Sequence, residues 1–244
     1  MNIEAVPGMI SDIVLGAFGI REFAVGGFFG VFIQGLKRGL FSNEAGMGSA
    51  PNAGAAASVS HPAKQGFVQA LGVYFDTIIV CSITAFIVLL SNPTFGDEKQ
   101  GASLTQSALE MQLGSWAVHF LTIAIFMFAF SSVIGNYYYG ESNLYFMTKS
   151  KGLLVAYRLV VCLFVAWGAM SSLGLVWSLA DMVMGIMATL NLVALLMLSK
   201  VAVKLLTNYT DQRKQGLNPV FHHADLGYDG MDTWDGSDPV TRRN

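Results

Sequence analysis

The residues with the most chemical potential lie between Gly35 and Ala57, in the run GLKRGLFSNEAGMGSAPNAGAAA. Apolar stretches flank this polar, glycine-dense segment on both sides. Glycine and proline punctuate helices, so the spacing predicts a helix broken near 39–48, with an unwound centre. Free backbone at membrane depth is tolerated only when buried in protein or lining a watery cavity. Broken helices of this kind build ligand sites in membranes: a half-helix N-terminus attracts a carboxylate, and freed carbonyls hold a cation. Gly46 and Gly48 can offer backbone groups, and Met47 a pliable thioether wall, to a small ligand. A re-entrant segment that only packs would use the same residue types.

A second constellation is Ser131–Gly140, SSVIGNYYYG. Ser132, Asn136 and Gly140 are spaced i, i+4, i+8 and share one helix face. The hydroxyls of Ser131 and Ser132 are oxygen ligands of the kind that hard cations take. The competing use of Ser131 and Ser132 is to bond back to their own helix and pack a small face. Asp76, Glu141 and Asp181 fall in apolar stretches, where a carboxylate must face protein or water. Structural ion pairing is their expected use, with Glu44, Lys37 and Arg38 pairing among themselves or with Glu141. Trp177 and Tyr137–Tyr139 suit the membrane interface.

Other chemistries find little to work with. There is no HExxH and no GxSxG, and Gly46–Ala50 is a GxGxA pattern without a nucleotide-binding strand before it. Cys81 and Cys162 sit in apolar runs and read as packing residues. His61, His119, His222 and His223 lack metal-ligand spacing, and the His222–His223 pair reads as part of a polar tail. No basic stripe supports nucleic-acid binding.

The elements that must position these residues are membrane spans. Hydrophobic residues make up 53% of the 244, and charged residues only 12%, half of what soluble domains usually carry. Apolar stretches run roughly over 66–91, 113–147, 153–170 and 173–198. Each is long enough to cross, since a span needs about 20 apolar residues, and the second is long enough to tilt or project. The broken stretch 23–60 makes five. Residues 91–113 read as a polar connector, and 208–244 as a soluble, mobile tail. The first residues lack the basic region and cleavage site of a signal peptide. Lys64, Lys149, Lys151, Lys200, Lys204, Arg213 and Lys214 fall on one set of alternate loops, with only Arg21 and Lys99 on the other. The positive-inside rule places the first set and the tail in the cytoplasm.

The run GLKRGLFSNEAGMGSAPNA resembles the signature of the alanine/glycine:cation symporter family. VQALGVYFDTIIVC, FAFSSVIGNYYYGE and LVWSLADMVMGIMATLNL extend the resemblance over nearly the whole chain except the tail. That family is a branch of the amino-acid/polyamine/organocation group, with a LeuT-like fold of two inverted five-helix repeats. The resemblance implies an all-α, polytopic protein of the cell (inner) membrane. It implies sodium-coupled symport of alanine or glycine, with sodium as coupling ion and no other cofactor. Ser131 and Ser132 are then sodium ligands, and Gly46, Met47, Gly48, Ser132 and Asn136 line the substrate. Family members often carry a larger aromatic near Asn136, which implies a different size preference here.

The family carries a first repeat before these motifs, so the spans here correspond to its second repeat. On this reading residues 1–204 are a transmembrane half and 205–244 a cytoplasmic tail. Transport would then need a partner carrying the missing N-terminal half. The alternative function is a non-transporting membrane fragment or split-gene subunit.

Overall fold

A computed structural model describes residues 3–18, 27–92, 101–227 and 233–241. Among these, the regular structure is entirely helical. The helices are α1 (Val6–Ala17), α2 (Gly27–Ser42), α3 (Ser49–Ala55), α4 (Pro62–Tyr74), α5 (Cys81–Leu90), α6 (Ala102–Leu113), α7 (Trp116–Met147), α8 (Lys151–Met170) and α9 (Leu173–Lys214). A π-helical turn, Phe75–Val80, joins α4 to α5 into one 29-residue rod. Among the described residues, four helices are long and apolar enough to cross a membrane: Pro62–Leu90, Trp116–Met147, Lys151–Met170 and Leu173–Lys214. Their large apolar side chains are mostly exposed, Phe126, Phe128, Leu190 and Leu196 among them. Contiguous apolar surface on that scale is not compatible with water. The chain is a multi-pass membrane protein.

The molecule divides into two compact units, Met1–Asn43 with Tyr74–Gly140, and Glu44–Val73 with Glu141–Asn244. In the first unit, α2 ends against the π turn. Ser42 Oγ donates to Asp76 Oδ2 at 2.9 Å, and Asn43 Nδ2 donates to Thr77 Oγ1 at 3.0 Å. The π turn adds a residue to one turn of helix, and Asp76 and Thr77 belong to it. Asp76 is thus matched by a hydroxyl.

The first unit also contains α6, where the sequence reads as a polar connector. Gly101 (φ 61°) and Gly114 (φ 89°) bracket it in conformations that stop a helix on either side. Ala108 and Ala117 are fully buried at this end of the unit, small enough to let backbones approach closely. Gln112 Nε2 donates to the Leu90 carbonyl, and Gln106 Nε2 to Thr122 Oγ1. The difference from the sequence reading has a simple cause. The residues of α6 are good helix formers but too polar to register as a span. Arg21, Glu22, Phe23 and Val25, and Pro93, Asp97, Glu98 and Lys99, which bear on orientation and on the start of the broken stretch, lie outside the described residues.

In the second unit, α9 runs on to Lys214. Its 42 residues span about 63 Å at 1.5 Å each, twice the roughly 30 Å hydrocarbon thickness. The division at 204/205 expected from hydropathy therefore falls inside a helix. The chain then turns at Gly216 (φ 77°) and folds back. The Gln212 carboxamide pairs with both backbone groups of Val220, each at 3.0 Å. The Phe221 N–H donates to the Ser60 carbonyl at 2.8 Å, and Ser60 Oγ to the Pro219 carbonyl at 2.9 Å. Lys64 Nζ reaches Asn218 Oδ1 at 2.7 Å. Phe221 is buried between the rings of His61 and Trp234. The His222 imidazole meets the Thr241 carbonyl, and the His223 N–H donates to the Trp234 carbonyl. The described part of the tail is thus an ordered module docked on the loop before α4. Sequence composition hides this because a few apolar residues, Pro219, Phe221 and Trp234, do the docking.

His61, at the centre of this dock, is fully buried. Its Nδ1 accepts the Ala63 N–H at 3.1 Å, so Nε2 carries the proton and donates to Asn208 Oδ1 at 3.2 Å. Its ring meets Tyr209 and Phe221 edge-on. Burial holds the imidazole below its ordinary 6.5. The Asn208 hydrogen bond opposes this, the Lys64 ammonium reinforces it, and the Asp225 carboxylate opposes it again.

Candidate functional site

The helix α2 stops at Ser42 and α3 starts at Ser49, with turns between. The last helical bond is the Asn43 N–H to the Gly39 carbonyl at 3.1 Å, doubled by Asn43 Nδ2 to the same oxygen at 3.0 Å. Beyond it the backbone enters the left-handed region three times: Glu44 (φ 49°), Gly46 (φ 78°) and Gly48 (φ 88°). Such alternation cannot propagate a helix. It leaves backbone groups without intrahelical partners, and among the described residues a weak turn from the Met47 N–H to the Glu44 carbonyl, at 3.4 Å, bridges it.

Two asparagines take up carbonyls on either side of Met47. Asn191 Nδ2, from α9, donates to the Gly46 carbonyl at 3.0 Å, and Asn52 Nδ2, from α3, donates to the Gly48 carbonyl at 3.1 Å. Asn52 Oδ1 in turn accepts from Asn143 Nδ2 of α7 at 3.1 Å. The Met47 carbonyl sits between these two held carbonyls. Its i+4 residue is Pro51, which has no N–H to give it. A backbone oxygen is thereby denied its helical donor by sequence. Next along the chain, Ser49 Oγ is buried and without a hydrogen-bond partner among the described residues. Buried polar atoms are nearly always paired, so an orphan beside an unwound turn marks a place where a ligand or water completes the set. Gln69 Nε2 donates to the Ala50 carbonyl and lies against Gly54, fixing α3 on α4.

Gly46, Met47 and Gly48 all belong to the second unit and lie together in this turn, half-buried. Ser131, Ser132 and Asn136 belong to the first unit, on α7. Ser131 Oγ donates to the Phe128 carbonyl at 2.9 Å, so it bonds back to its own helix. That bond uses its proton and leaves the oxygen lone pairs free to accept. Asn136 Nδ2 donates to the Ser132 carbonyl at 3.0 Å, leaving Asn136 Oδ1 as an acceptor on the same face. Among the described residues no group of His, Cys, Asp and Glu could hold a metal ion.

One of the intramembrane charges has the structural ion pairing expected of it, with a partner that the sequence did not point to. Glu141 pairs with Arg158 across the tight α7–α8 connection. A three-residue connection makes α7 and α8 neighbours, so Glu141 near the end of α7 meets Arg158 in the first turns of α8. Asn52, Asn143, Asn191 and Ser49 are the residues that sequence reasoning missed. Only Ser49 and Asn52 had a local signal, their place beside the glycines.

The comparisons with known proteins agree with one another. The sodium:alanine symporter family matches residues 1–223. The amino-acid carrier protein AlsT of Bacillus subtilis is 52% identical over 235 residues, covering 96% of this chain and 50% of the relative. The probable sodium/glutamine symporter GlnT of the same organism is 47% identical over 241 residues, covering 98% and 50%. The sodium/alanine symporter AgcS of Methanococcus maripaludis is 40% identical over 221 residues, covering 88% and 48%. The chain spans about half the length of the curated relatives it matches. No solved structure matches it.

Proposed function

The chain belongs to the sodium:alanine symporter family, and on that premise we propose that it carries part of the path for sodium-coupled uptake of a small neutral amino acid, alanine or glycine. The family is one of transporters, not of enzymes. The observation that carries the reading is the left-handed turn at Gly46–Gly48. A membrane protein that breaks its helix between α2 and α3, and leaves Ser49 Oγ orphaned beside the break, has spare polar groups there for a ligand.

The turn supplies the substrate surface. Gly46 and Gly48 let the backbone come close, and Met47 supplies a deformable apolar wall for a short side chain. On the family resemblance, Ser132 and Asn136 of α7 are substrate-lining residues in the whole transporter, and Ser131 and Ser132 hold sodium by their hydroxyl oxygens. The names of the relatives support sodium coupling and an amino-acid cargo. The glutamine named for one of them is the alternative cargo to test. We read the α2–α3 pair and the four long helices as the second five-helix repeat of a LeuT-like fold, in the cell membrane. The lysines at 64, 149, 151, 200 and 204 put the C-terminus in the cytoplasm on the positive-inside rule.

Because half of each relative's length lies outside the match, the activity is proposed for the whole transporter. The test is uptake of labelled alanine, glycine and glutamine into vesicles under an imposed sodium gradient. Alanine or glycine uptake that collapses when potassium replaces sodium is expected. Uptake indifferent to sodium but driven by a proton gradient would overturn the coupling, and glutamine uptake excluding alanine would overturn the cargo.

A further inference from the structure

We propose that Asn191 of α9 is a positioning residue that sets the shape of the Gly46–Gly48 turn, an inference that rests on that turn being the substrate surface. Nothing in the sequence links the two, since 145 residues separate Asn191 from Gly46. Yet Asn191 engages the turn at two points. Its Nδ2 donates to the Gly46 carbonyl at 3.0 Å. Its Oδ1 and Cγ cover Gly48 on the side where a side chain would project, 3.1 and 3.2 Å from a Cβ built there.

The two contacts act on consecutive peptide planes. The donated bond fixes which way the Gly46 carbonyl points, and so fixes the Gly46–Met47 peptide. The plate of the carboxamide over Gly48 limits rotation of the next one. Asn52 holds the Gly48 carbonyl from the other side. The Met47 carbonyl, between these clamps and lacking a donor at Pro51, is held in one orientation without being used up. Glycines at 46 and 48 would otherwise sample many conformations, because each visits both signs of φ freely. A site that must recognise a small ligand by backbone oxygens needs that freedom removed before binding. An asparagine suits the task because one group supplies both the donor and a flat, rigid plate. A leucine would supply bulk without the bond, and an aspartate the shape without the donor.

The test uses Asn191→Asp and Asn191→Leu in the whole transporter, purified and reconstituted into vesicles. Two readouts are taken: hydrogen exchange of the amides in residues 44–50, and the KM and kcat of sodium-driven alanine uptake. Both variants should speed exchange in 44–50 without speeding it in α7 or α8. KM should rise about tenfold with a smaller change in kcat, the size of one lost hydrogen bond. Unchanged exchange in both variants would overturn the positioning role. Faster exchange with unchanged KM would leave Asn191 holding the turn but overturn the turn as the substrate surface, and with it the role of Asn191 in recognition. Faster exchange throughout α7 and α8 in both variants would show a general packing role and also overturn the proposal.

Discussion

Asn191 Oδ1 lies 3.1 Å from the place a Cβ on Gly48 would occupy, in a backbone whose φ is 88°. A side chain at 48 therefore meets two obstacles, conformational and steric. At Gly46 only the first applies: φ is 78° but nothing lies within 4 Å. Gly46→Ala should cost about 1–2 kcal/mol of local stability from the left-handed backbone alone. Gly48→Ala should cost more and displace Asn191. Thermal unfolding of the two variants, side by side with alanine uptake, checks the ranking. An equal loss in both would mean that the contact with Asn191 is slack.

Ser132→Ala should act on sodium more than on folding. The hydroxyl is exposed on α7, so its removal changes stability by no more than about 0.5 kcal/mol. The sodium concentration for half-maximal uptake should rise about tenfold, as expected for a lost charge-bearing contact. Sodium activation indistinguishable from the parent would show that this hydroxyl is not a ligand.

Phe221→Ala should undock the tail. The ring is buried between His61 and Trp234, and losing such a side chain costs about 3 kcal/mol. Limited proteolysis should then cut within 215–227, where the parent resists. Helices α8 and α9 should remain intact, since their apolar faces do not depend on the dock. A parent chain cut just as fast would mean that the tail is not held in solution.

Acid should loosen the same dock. His61 is buried neutral, and burial holds its pKa below the ordinary 6.5. An undocked loop would bind the proton more readily than the docked one. Docking is therefore at full strength above about pH 6.5 and weakens as pH falls through the depressed value. Proteolysis at pH 7.5 and 5.5 measures this, and His61→Asn should flatten the difference. A pH response that survives in His61→Asn would assign it to other groups.

How much of this was legible in the sequence depends on the range of the interaction. Hydropathy located the four long helices because lipid acts on each segment alone, and a run of apolar residues is sufficient to say so. Glycine and proline spacing located the interruption between Gly39 and Gly48, because left-handed backbone is a local property of those residue types. The extension of α9 to Lys214 was hidden by its polar last turns, since polar residues continue a helix as readily as they end one. The partners of the turn were decided by tertiary structure alone. Asn191 and Asn143 are ordinary asparagines in apolar helices, and only packing brings them to the Gly46 carbonyl and to Asn52. The same holds for His61, whose burial depends on Phe221 returning from 160 positions along the chain. Local conformational preference is written residue by residue, whereas a hydrogen bond between distant segments exists only once the chain has closed the loop between them.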